Sequence, residues 1–168
     1  MQLKILGYIL IALCPAVCGR LMSRGIIEEI KRLEGIIELI RHIKYEICVR
    51  MSMQEDIFAQ FENESLRKCG FLDALHTCRI DGEKSVLFSA MEMCPHFLKS
   101  DAACRRLICD FAETLGTLER GIQEEKCDFY ISRLSEIYSE KKEKSVAEIK
   151  LCRSMGALAG VCAVLILV

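Results

Sequence analysis

Hydrophobic and polar positions fall into three zones along the chain. From Leu3 to Met22 the sequence is almost wholly apolar, and its centre, Ile5 to Gly19, carries no charge. A second apolar run, Met155 to Val168, carries none either. Between them, apolar residues return at steps of three and four: Ile26, Ile30, Leu33, Ile37, Ile40, Ile43 and Ile47. That spacing draws one stripe along about six turns of an amphipathic helix, continuous with the first apolar run. Ile36 and Leu39 widen the stripe, which predicts packing against more than one neighbour. Gly35, inside it, weakens the helix by about 1 kcal/mol relative to Ala without ending it.

The remaining middle region reads as shorter helices. Ser52 with Glu55 three residues on is a capping box and opens a helix towards Phe61. Asn63 or Ser65 starts the next, reaching about Cys78, and Asp81-Gly82 marks a turn. A further helix covers Glu83 to Met93 and closes at Pro95. Ser100 or Asp101 caps another that runs to Leu115, where Gly116 serves as a C-cap or tight turn. The last helix starts near Leu118, places Ile122, Tyr130, Leu134, Ile137 and Tyr138 on one side, and leads into the second apolar run. The expectation is all-α: a bundle of about six helices over residues 23–150, flanked by membrane segments at 1–22 and 151–168, with the long first and last helices antiparallel.

The first apolar run has the length of a membrane span, and Pro15 inside it is tolerated better there than in a soluble helix. A cleavable signal peptide is the competing reading, but Val17 and Leu13 are bulky before each candidate cut at Cys18 or Cys14. The second run is shorter than the hydrocarbon core unless extended from Leu151, with Arg153 snorkelling to the headgroups. Gly156 and Gly160 form a small-xxx-small pair suited to close helix packing, although such glycines are also ordinary membrane-helix composition. Arg20, Arg24, Lys31 and Arg32 follow the first run, and Lys141, Lys142, Lys144, Lys150 and Arg153 precede or enter the second. The positive-inside rule then places the middle in the cytoplasm from both sides.

Charge narrows the function classes. The 23 basic and 24 acidic residues give a formal net charge of −1, so no basic excess calls for nucleic acid. The 11 cysteines are an odd number scattered through helical sequence, which suits free thiols in a reducing cytosol rather than a disulfide framework. His42, His76 and His96 are the only histidines. His76-Thr77-Cys78 and Cys94-Pro95-His96 pair Cys with His, but at a spacing that points the two side chains of each pair apart on a helix. No Gly-rich phosphate loop, nucleophile elbow or metalloprotease motif is present. Most carboxylates have a Lys or Arg three or four residues away, as Glu28 does with Lys31 and Arg32, which describes a solvated helix face. Catalytic, cofactor and metal sites are therefore not expected, nor is a small-molecule substrate.

The architecture resembles that of the stage III sporulation protein AB family over essentially the whole chain. The likeness rests on Gly19 in the first apolar run, on the 26–47 stripe ending in Glu46-Ile47, and on Leu115-Gly116 followed by Gln123. Met155-Gly156-Ala157-Leu158-Ala159-Gly160 before the final aliphatic run completes it. Where the family usually carries a small residue and Asp, this chain has Leu118-Glu119. The resemblance implies a non-enzymatic platform or scaffold in the mother-cell membrane, part of the channel complex between mother cell and forespore. It implies a soluble domain similar to the helical domains of secretion platform proteins, coupled to a secretion-type ATPase and other channel proteins. Leu115, Gly116, Glu119 and Gln123 are the family motif positions, and Gly156 and Gly160 the membrane-helix packing positions. The alternative is a membrane-anchored sensor or signalling protein that dimerises through the 26–47 stripe.

Overall fold

A computed structural model describes the backbone of residues 2–50, 54–78, 85–94, 97–98, 102–115 and 119–167. Within these, the side chains of 2–13, 16, 49–50, 54–56, 120, 161 and 163–167 are not described. Among the described residues the structure is all-α, with α1 (Gln2–Tyr45), α2 (Gln54–Ala59), α3 (Glu64–Lys68), α4 (Phe71–Thr77), α5 (Val86–Met93), α6 (Ala102–Thr114) and α7 (Arg120–Leu167). A π-helical turn, Glu46–Arg50, ends α1. The chain divides into two compact units, one of Lys31–Ser139 and one of Met1–Ile30 with Glu140–Val168.

The Lys31–Ser139 unit is a bundle built on the apolar stripe. Leu33, Ile36, Ile37, Leu39, Ile40 and Ile43 are buried, together with Ile57, Phe61, Leu66, Phe71, Leu75, Leu87, Ile108, Phe111 and Leu134. Ile36 and Leu39 are as buried as the main stripe, so α1 is covered on more than one side. Within this unit α1 and α7 run antiparallel: Lys44 pairs with Asp128, whereas Glu34 accepts from the Tyr138 hydroxyl at 3.1 Å.

The helix expected from Asn63 or Ser65 to Cys78 is two helices. Asn63 caps α3 by accepting from the Ser65 and Leu66 amides at 3.0 and 3.1 Å. Gly70 then takes a left-handed φ of 77° and restarts the chain as α4, a backbone state that glycine reaches without steric cost. This break raises the count from about six helices to seven among the described residues. α5 opens at Ser85, whose hydroxyl accepts from the Phe88 amide at 3.2 Å. The Ser52–Glu55 capping box, the Asp81-Gly82 turn, Pro95, the Ser100 or Asp101 cap and the Gly116 turn lie outside the described residues.

Ile122, expected on the inward side of the last helix, is exposed. The neighbouring Gln123 takes the inward position instead, in helical register with Cys127, Tyr130 and Leu134, which are all buried.

The other unit contains the two chain ends. Here too the helices run antiparallel, with Lys141 3.3 Å from Glu29 and Gly19 opposite Cys152 and Gly156. Ser23 is buried because its hydroxyl turns back to donate to the Gly19 carbonyl at 2.7 Å. Among the described residues, no helix is long and apolar enough to cross a membrane. The flanking spans expected from the sequence thus gain no support there. Most of Leu3–Met22 and the end of Met155–Val168 lie outside the described side chains, and the described stretches bordering them include Arg20, Arg24, Lys150 and Arg153.

Candidate functional site

Lys44 lies near the end of α1 and holds both oxygens of Asp128, at 2.8 and 2.7 Å, with Glu124 3.4 Å away. These ion pairs, spanning 80 and 84 positions of sequence, set the end of α1 beside the first three turns of α7. The Asp128 carboxylate, hydrogen-bonded to the Lys44 ammonium, raises the lysine pKa above its ordinary value. Glu46, the first residue of the π turn, is buried. Such turns recur at functional positions because the extra residue re-aims the side chains around it.

Three of the four family-motif positions are described. Leu115 is buried at the end of α6. The Glu119 carbonyl accepts from the Gln123 amide nitrogen at 2.8 Å and forms the first turn of α7, while its side chain is exposed. Gln123 is 2% exposed, and neither Oε1 nor Nε2 of its side chain has a hydrogen-bond partner among the described residues. Gly116 is not described. Gly156 and Gly160 belong to the other unit, where Gly160 is buried and Gly156 packs against the Pro15 carbonyl and Gly19.

One turn beyond Gln123, burial pushes the Cys127 thiol up to about 11. The Cys48 thiol of the π turn acts in the same direction, and the Gln123 amide, close to the thiol but outside hydrogen-bond geometry, partly offsets both. Burial likewise raises Cys78, Cys94 and Cys109. An activated nucleophile needs a lowered thiol pKa, so these four sit on the unreactive side.

Among the described residues the Cys and His side chains are not assembled into a ligand set. His76 Nε2 is 3.0 Å from the Phe58 carbonyl, and His42 Nε2 is 3.0 Å from the Ile57 carbonyl, so the two rings bracket the last turn of α2. Cys78 Sγ lies 3.3 Å from Met93 Sδ. His96 is outside the described residues. Among the described residues, no three His, Cys, Asp or Glu side chains come close enough to hold a metal ion.

What this region offers is a surface. On the first turns of α7, Gly121, Ile122, Glu124, Glu125, Lys126, Asp128 and Phe129 are all exposed. The Lys44 pairing had no signal in the sequence, whereas the inward place of Gln123 did, since it lies seven and eleven residues before Tyr130 and Leu134 on one helix face. Glu46 was visible only as part of a resemblance.

The family model for stage III sporulation protein AB matches residues 4–168. No curated protein and no solved structure matches the chain.

Proposed function

The chain belongs to the stage III sporulation protein AB family, and from that membership, which carries a role in sporulation, we propose a non-enzymatic platform or scaffold. In this reading it serves the channel complex between mother cell and forespore. It is attached to the mother-cell membrane through its apolar ends, presents its helical bundle to the cytoplasm and couples to a secretion-type ATPase. The observation that carries the reading is the extent of the family match, which includes the bundle and both ends.

Three further features support it. The apolar, uncharged centre of residues 5–19 and the apolar run 155–168 suit attachment to a bilayer. Basic residues gather on the inner flank of each run, as expected for a cytoplasmic middle. The Lys31–Ser139 unit carries exposed ion pairs such as Arg67–Glu62, Lys68–Glu64 and Arg133–Glu136, a charged surface suited to binding a protein partner.

The dimeric sensor is the weaker reading. It needs the 26–47 stripe free to pair with a second copy, yet Leu33, Ile36, Ile37, Leu39, Ile40 and Ile43 are buried within the chain itself. The test is affinity purification of the membrane-extracted protein from sporulating cells, with mass spectrometry of its companions. Recovery of a secretion-type ATPase with other channel proteins supports the platform. A clean homodimer with neither returns the sensor to the lead.

A further inference from the structure

We propose that one edge of the helix pair formed by the two chain ends binds the headgroups of anionic phospholipids. In this unit α1 and α7 meet along steps of three and four. The contact positions are Gly19 and Ser23 on α1, and Ser145, Ile149, Cys152 and Gly156 on α7, all buried or half-buried. Arg20 and Arg24 each follow a contact position by one residue, and so do Lys150 and Arg153. One residue is about 100° of helix. In an antiparallel pair, equal offsets from the contact line fall on the same side, so these exposed cations share one edge. Met22, Leu151 and Met155 each precede a contact position by one and share the opposite edge, where they stand 65%, 58% and 60% exposed.

The cations also share a level. Gly19 lies opposite Cys152 and Gly156, which sets Arg20 near Arg153 and Arg24 near Lys150, within about 6 Å along the axis. Among the described residues Arg20, Arg24, Lys150 and Arg153 make no ion pair, whereas Lys141 pairs with Glu29 and Lys144 with Glu140 further from the chain ends. No acidic residue occurs in 1–27 or in 149–168. Glu148, at the border, precedes Ile149 by one and therefore stands on the apolar edge.

The two edges together decide the occupant. Guanidinium groups bind phosphate in charge-assisted pairs, and basic residues beside an apolar segment attract anionic lipid. The uncharged runs 5–19 and 154–168 begin directly beyond this level. Free phosphate or nucleic acid matches the cations and leaves Met22, Leu151 and Met155 in water. A second copy of the basic edge is repelled by like charge. A bilayer takes both edges, with phosphates on one and acyl chains on the other.

The assignment rests on the membrane attachment in the platform reading. The full chain is reconstituted into vesicles of equal parts phosphatidylcholine and phosphatidylglycerol and floated to show that it enters them. It is then re-extracted in a neutral detergent, and the lipid that stays with it is identified by mass spectrometry. Two double variants are compared with the wild type, Arg20→Gln with Arg153→Gln, and Arg24→Gln with Lys150→Gln. Arg106→Gln with Lys126→Gln, exposed cations of the other unit, is the control, and thermal melting checks that each protein folds. The expected result is retention of phosphatidylglycerol over phosphatidylcholine, a preference that falls roughly tenfold or more in each α1–α7 variant and holds in the control. No preference in the wild type, a preference kept by both variants, or a fall matched by the control overturns the lipid site and leaves the attachment standing. A wild-type chain that does not enter the vesicles overturns both.

Discussion

The Asn63 Oδ1 atom stands 2.9 Å from the point where a Cβ on Gly35 would be. The same oxygen accepts from two amides at the start of α3, and the Asn63 Nδ2 donates to Glu38 at 2.8 Å. Leu66 closes the other side, with its Cγ at 3.0 Å. Gly35 is thus the notch in α1 that receives the capped end of α3. Gly35→Ala is expected to destabilise the bundle by about 1–3 kcal/mol, although Ala is the better helix former. Thermal unfolding of the full chain checks it, and a raised melting temperature would show that the cap can shift aside.

A tighter approach joins the helices of the other unit. A Cβ on Gly19 would lie 2.5 Å from the Cys152 carbonyl oxygen, and one on Gly156 would lie 2.7 Å from that of Pro15. These are backbone atoms, which move only if the helices separate. Gly19→Ala and Gly156→Ala should each loosen the pair. Gly25→Ala, where a Cβ meets nothing within 4 Å, should be neutral or stabilise by up to about 1 kcal/mol. Protease sensitivity of residues 14–30, compared across the three variants, reads the contrast.

Among the described residues the buried Gln123 amide makes no hydrogen bond and has only a weak approach to the Cys127 thiol, a burden of about 1–3 kcal/mol. Gln123→Leu keeps a similar volume and removes the burden, so chemical denaturation should show a protein as stable as the wild type or more stable. A loss of stability would mean that a partner, such as a bound water, satisfies the amide. If stability is kept while sporulation fails, the amide serves the complex rather than the fold.

Arg105 gathers the end of α5. Its guanidinium donates to the carbonyls of Met91 at 2.8 Å, Phe97 at 3.1 Å and Cys94 at 3.3 Å. These acceptors include carbonyls that the end of a helix leaves open. Arg105→Met is expected to cost about 1.5–3 kcal/mol. Arg105→Lys should recover only part, since an ammonium lacks the planar fork. Equal stability of the Lys variant and the wild type would argue against the fork.

The Cys127 thiol gives a pH dependence with a definite sign. Its folded pKa of about 11 lies above the ordinary value of 9.0, so the folded state holds the proton more tightly. The stability contributed is fully present below pH 9 and is lost as pH rises from about 9 to 11, by roughly 2–3 kcal/mol for this group alone. Cys127→Ala should show a shallower loss over that window. Denaturation at pH 7, 9 and 10.5 measures the difference, and parallel curves for the two proteins would refute it.

The sequence by itself determined the helical class, the long first helix and the apolar ends, because periodicity and charge-free length are local properties. The 26–47 stripe marked most of the α1 residues that became the core. Tertiary structure decided the rest. The split at Gly70 depended on the backbone turning left-handed, which an apolar pattern does not record. The exchange of Ile122 for Gln123 on the inward face is a rotation of about 100°; it follows the register of Cys127, Tyr130 and Leu134, and residue polarity at 122 and 123 points the other way. Gly35 read as a weak point in a helix and proved to be room for Asn63, a residue 28 positions away. Lys44 and Asp128 found each other across 84 positions, since contacts between helices join residues whose spacing in the chain carries no period.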